Sequence, residues 1–165
     1  MSSAGKCKSP FRVLAIYPSI RGFGFAIIEP EGTLVHWGSK STRQDKNGRA
    51  LIQVGRLIAR YQPNGLALEC LATLDRRRST RIRNLISELN GLALNLKIGV
   101  KHISRREIIE KLVEDGSGNK YSVAVAVADR FPEELGHSLP PRRRAWMRED
   151  HRMPVFEAVA LALAF

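Results

Sequence analysis

The strongest constraint on this chain is a change of hydrophobic period between Trp37 and Leu51. Before it, three apolar runs, Phe11–Tyr17, Phe23–Ile28 and Thr33–Trp37, are separated only by Pro18 to Gly22 and by Glu29 with the tight turn Pro30-Glu31-Gly32. Connections that short allow only hairpin reversals, so the three runs predict an antiparallel meander. After it, Leu51, Val54, Ile58 and Tyr61 recur at helical spacing, and Pro63-Asn64-Gly65 ends that helix. Leu66–Cys70 reads as a short apolar strand carrying one acid, Glu69. From Ser79 to about Lys97, the residues Ile82, Leu85, Ile86, Leu89, Leu92, Ala93 and Leu96 form one stripe of an amphipathic helix.

Val100–Ile103 gives a fifth strand, and Ser104-Arg105-Arg106-Glu107 is a capping box opening a helix through Val113. Beyond the loop Asp115–Gly118, Tyr121–Phe131 alternates Val and Ala. Period two would make it a strand, but its alanine content and the stop at Pro132 favour a helix. Pro132–Met153 reads as irregular, and a last helix starts near Pro154. A meander feeding helical crossovers implies an α/β fold. We expect a mixed five-stranded sheet with helices on both faces, strand one being central and paired with strand four.

Length and composition fit one domain, residues 11–165, behind a loose arm, residues 1–10. The arm has no apolar core and does not read as a signal peptide. The longest apolar run, Ala158–Phe165, is far below the roughly 20 residues that cross a bilayer. Cys7 and Cys70 are too few for a disulfide framework or a zinc site, and His36, His102, His137 and His151 show no ligand spacing. The expectation is a soluble intracellular protein without a membrane partner.

Charge points to the partner. Lys and Arg number 27 against 16 acids, a net of +11. The bland reading is a solvated basic surface. The clustering argues against it: Arg76, Arg77 and Arg78 abut, Arg81 and Arg83 follow, and Arg142, Arg143 and Arg144 stand beside Trp146. Such clusters suit phosphate contacts, where binding releases counterions.

Four segments, in order, resemble the RuvC-type Holliday-junction resolvases of the RNase H-like superfamily, whose βββ-α-β-α-β order matches as well. Val13 to Ile28 resembles that family's first hairpin, where an apolar run meets Asp-Pro-Gly, a polar turn and Gly-Tyr-Gly; here the corresponding triplets are Tyr17-Pro18-Ser19 and Gly22-Phe23-Gly24. Gln62-Pro63 followed by Leu66–Glu69 is similar to the strand ending in a catalytic Glu. Gly116-Ser117-Gly118-Asn119-Lys120 is similar to a loop carrying a basic catalytic residue, and Phe156–Ala162 resembles the last helix, where an Asp faces the site.

The resemblance implies a homodimeric endonuclease acting on branched DNA, with Mg²⁺ or Mn²⁺ held by carboxylates from separate elements. It assigns catalytic positions to Tyr17, Glu69, Lys120, Asp150 and Glu157, and metal contacts to Glu69, Asp150 and Glu157. Two positions depart from the pattern. Tyr17 stands where the first Asp should bridge the metals, and a phenol, titrating near pH 10 in model peptides, is a poor magnesium ligand at pH 7. Pro154 stands one helical turn before Glu157, where another Asp belongs.

Each site residue also has a plainer reading. Glu69 could be one half of a structural ion pair, Asp150 a cap or surface acid, and Tyr17 a core residue filling a former metal cavity. Lys120 is equally a phosphate contact or ordinary loop charge. The Ile82–Leu96 stripe is a core face, long enough to serve also as a dimer seam. Two functions are therefore open: a metal-dependent nuclease with a damaged site, or a non-cleaving binding module that keeps the fold and the basic surface. Either way, binding to duplex or branched nucleic acid is expected to weaken by orders of magnitude between about 50 and 200 mM salt if about 6–10 phosphates are contacted. A flat response in fluorescence anisotropy titrations contradicts this.

Overall fold

The computed structural model describes residues 10–70 and 79–165. Most of the expected arm, and with it Arg76, Arg77 and Arg78, lies outside those residues. Strands β1 (Val13–Pro18), β2 (Gly22–Glu29) and β3 (Thr33–Ser41) form the meander. Helix α1 (Lys46–Tyr61) leads to β4 (Gly65–Glu69), and α2 (Thr80–Asn95) leads to β5 (Gly99–Ile103). Helices α3 (Arg105–Leu112), α4 (Lys120–Arg130) and α5 (Met153–Ala164) complete the order.

The five strands make one mixed sheet, β3-β2-β1-β4-β5. β1 is central as expected, antiparallel to β2 and parallel to β4. β3 is longer than its apolar run, because Gly38–Ser41 continues the ladder with β2 out to Gly22. Polar residues on an edge strand read as loop in a sequence, but backbone pairing carries them.

Every residue of β1 is buried, and alternation sends its side chains to two cores. Leu14 and Ile16 pack with α1 and α2, where Val54, Ile82, Leu85, Ile86 and Leu89 lie. Val13, Ala15 and Tyr17 face α3, α4 and α5. The stripe of α2 is thus largely used inside the chain: Ile82, Leu85, Ile86, Leu89 and Ala93 are core, while Leu94 and Leu96 near its end are exposed. Tyr121–Phe131 is helical apart from its capping residue Phe131, as its alanines favoured, and Asn119 and Ser122 close a capping box at its start.

α5 sits unusually close to the sheet. Beneath it Ala26, Ala15 and Ala67 align across β2, β1 and β4, and Gly24 lies opposite Tyr17. A Cβ on Gly24 would collide with the backbone carbonyl of Pro154. Gly24→Ala is therefore expected to destabilise the fold by about 1–3 kcal/mol, the range for overpacking a filled core. Urea denaturation midpoints of the two proteins check it; an unchanged midpoint refutes the close packing.

Candidate functional site

The C-terminal ends of β1 and β4 and the N-terminal turns of α3, α4 and α5 converge on the α5 side of the sheet. Tyr17 is next to last in β1 and Glu69 last in β4; alternation from Ala67 puts Glu69 on this side too. The capping box of Ser104 and Glu107 fixes the start of α3 and with it Arg105. Asn119 caps α4, making Lys120 its first residue rather than part of the preceding loop. Glu157, on the otherwise apolar α5, is 1% exposed and is the sole fully buried charged residue among those described.

The burial of Glu157 explains what surrounds it. A buried carboxylate without compensation is very costly. Arg105 supplies the compensation with two hydrogen bonds, from Nη1 to Oε1 at 3.1 Å and from Nη2 to Oε2 at 2.6 Å. Burial works against the Arg105 charge, but Glu157, with smaller contributions from Tyr17 and Glu69, outweighs it and leaves its pKa above the ordinary arginine value.

Lys120 is the second cation. Its Nζ donates to the Tyr17 hydroxyl at 3.0 Å and to Glu149 Oε1 at 2.9 Å, and it lies 5.6 Å from the Tyr17 ring centre. Burial again lowers its pKa, and Tyr17, Glu157 and Glu149 together raise it above the usual lysine value. Tyr17, Glu69, Arg105, Lys120 and Glu157 thus form one coupled group.

Asp150 stands apart from it. Both of its oxygens accept from the Arg152 side chain at 2.9 Å, and Oδ1 also accepts the Arg152 backbone N–H. Those bonds bring its pKa down to about 2. The neighbouring Glu149, not Asp150, reaches the group. Of the expected nucleic-acid contacts, Arg81 is committed to structure, donating to the carbonyl of Ser19 at 2.7 Å and to Asn47. Arg83 is partly buried, and Arg142, Arg143 and Arg144 are exposed on the segment before α5.

Sequence reading missed Arg105 and Glu149. A lone acid on an apolar helix demands a cation, but nothing local says which. In the pair Glu149-Asp150, the sequence reading named Asp150, and the structure brings its neighbour Glu149 to Lys120.

These residues do not fit a pair of divalent metal ions. Glu157 is engaged at both oxygens by a guanidinium, the Tyr17 oxygen receives an ammonium hydrogen bond, and Asp150 is held by Arg152. Among the described residues no three His, Cys, Asp or Glu side chains gather as a ligand set.

Sheet order and helix placement define the fold as the RuvC-type, RNase H-like one. The Thermus thermophilus RuvC structure superposes with a TM-score of 0.70 at 18% identity, covering 93% of this chain and 92% of that one. T. thermophilus RuvC in complex with Holliday junction substrate gives 0.70 at 20% identity over the same shares. Ydc2, the yeast mitochondrial Holliday junction resolvase, gives 0.59 at 13%, covering 94% of this chain and 77% of that one. No family model matches the sequence, and no curated protein matches it either. Among the described residues, no helix is long and apolar enough to cross a membrane.

Arg105→Met should cost about 3 kcal/mol, the low end for stripping one partner from a buried pair, because Arg105 partly reaches solvent. Adding Glu157→Leu should recover most of that loss. A double-mutant cycle in urea measures both; additive losses would contradict the pairing.

Proposed function

We propose that this chain binds nucleic acid through its phosphates and does not cut it, with Arg105 and Lys120 supplying fixed positive charge where the resolvase resemblance puts metal ions. The observation that carries this reading is the bidentate Arg105–Glu157 pair, supported by Lys120 on the Tyr17 hydroxyl. A cation delivered by the protein neutralises the acids as a metal would, but an arginine or lysine does not convert water into a strong nucleophile at neutral pH as a divalent ion does. The net charge of +11 and the exposed Arg142–Arg144 block suit a phosphate backbone. The likeness to a RuvC solved on a Holliday junction makes branched DNA the first substrate to try.

The geometry also bears on Tyr17→Asp. A new carboxylate there meets Lys120 and forms an ion pair, so the single change is not expected to create metal affinity.

The test is a four-way DNA junction incubated with the protein in Mg²⁺, in Mn²⁺ and in EDTA. Binding is expected to persist in EDTA and to be no stronger in either divalent ion, because side chains supply the phosphate contacts and added cations compete with them, and no nicked product should form. Lys120→Gln should weaken binding without unfolding the protein. Metal-dependent nicking that Glu69→Gln abolishes would overturn the proposal and establish an active nuclease.

A further inference from the structure

A cleft of about 540 Å³ opens beside the charged group, between the β1–β2 turn, the outer part of β3 and the segment leading into α5. Its charges are unequally committed. Of its two acids, Glu149 is tied to Lys120 and Asp150 to Arg152. Of its cations, Arg21, Lys40 and Arg148 make no side-chain hydrogen bond or ion pair among the described residues. Arg143 gives only Nε, to the Met147 carbonyl at 2.6 Å. With the acids satisfied internally, the cleft offers donors that lack an acceptor among the described residues.

At its rim stands Ile20, 78% exposed. A single exposed aliphatic side chain is ordinary on a protein surface. This one sits on a turn held unusually firmly. Ser19 N–H donates to the Gly22 carbonyl at 2.8 Å, Lys46 Nζ donates to the Ile20 carbonyl at 2.8 Å, and Arg81 Nη2 donates to the Ser19 carbonyl. Two long cationic side chains from separate helices thus fix the backbone of a turn whose tip is apolar and in water.

We infer that Ile20 is a wedge that enters the base stack at a point where stacking is already interrupted, while the phosphates of the adjoining strand lie in the cleft on Arg21, Lys40, Arg143 and Arg148. Apolar wedges of this size separate base steps in other nucleic-acid-binding proteins, and the energy needed is least where pairing is already broken. The inference rests on the nucleic-acid reading above and deepens it into a preference for forks and branches over uninterrupted duplex.

The experiment uses a forked DNA with 2-aminopurine at the branch and a flush duplex of the same length. The full chain should raise 2-aminopurine fluorescence and bind the fork about tenfold more tightly than the duplex, through local unstacking at the branch. Ile20→Ala should lose the fluorescence rise and most of the preference, with duplex affinity within about twofold of the parent. Replacing Arg21, Lys40 and Arg148 together with alanine should weaken binding to the fork and lower the salt slope by about three. Full fork preference in Ile20→Ala, or an unchanged slope in the triple variant, overturns the wedge and cleft while leaving the binding reading in place. No binding to either DNA by the parent chain overturns the binding reading itself.

Discussion

The close approach of α5 to the sheet governs much of what surrounds it. Gly24 and the alanine row Ala15, Ala26 and Ala67 let the helix descend until Pro154 touches the strand backbone. At that depth the Glu157 side chain has almost no access to water. An ionised carboxylate so placed needs a counter-charge that is close and directional, and the capping box of α3 delivers Arg105 for it. Packing, then, fixes the electrostatics: small residues on the sheet place the acid, and the acid dictates the partner.

Holding charge on side chains differs from holding it on ions. Arg105 is planar and bidentate, so it satisfies both oxygens of one carboxylate and fixes their orientation. Lys120 is a point charge on a flexible stem and spans two acceptors on different elements, the Tyr17 hydroxyl and Glu149. Exchange of either residue type for the other would therefore lose more than a charge count shows. Tyr17 fits the same arrangement. Its ring fills space opposite Gly24, and its hydroxyl accepts the hydrogen bond from Lys120 Nζ.

Much of the fold was legible because period and punctuation carried it. The three runs before Ser41, the β4 run closed by Glu69 and the Ser104–Glu107 box all appear where the residues imply. The end of β3 was not legible, since Gly38–Ser41 has no apolar alternation and is carried along by its main-chain pairing with β2. Around the candidate site, Glu69, Glu157, Lys120 and Tyr17, which the structure brings together, could be singled out in sequence, because a polar residue interrupting an apolar element is visible there. Their pairing was not. Arg105 lies 52 positions from Glu157 and Lys120 lies 103 from Tyr17, distances that only the sheet order closes. Arg81 read as one of the phosphate-contacting arginines, although its guanidinium braces a turn from another part of the chain.

That brace grips main-chain oxygens. Lys46 and Arg81 bond to carbonyls, which every residue type possesses, so the path of the turn does not depend on which side chain occupies position 20. Placement and chemistry are thereby decoupled at this tip. A lineage can exchange Ile20 for an aromatic, a polar or a charged residue and present each at the same point in space. At such a position one codon change alters the chemistry presented while the framework that aims it stays as it is.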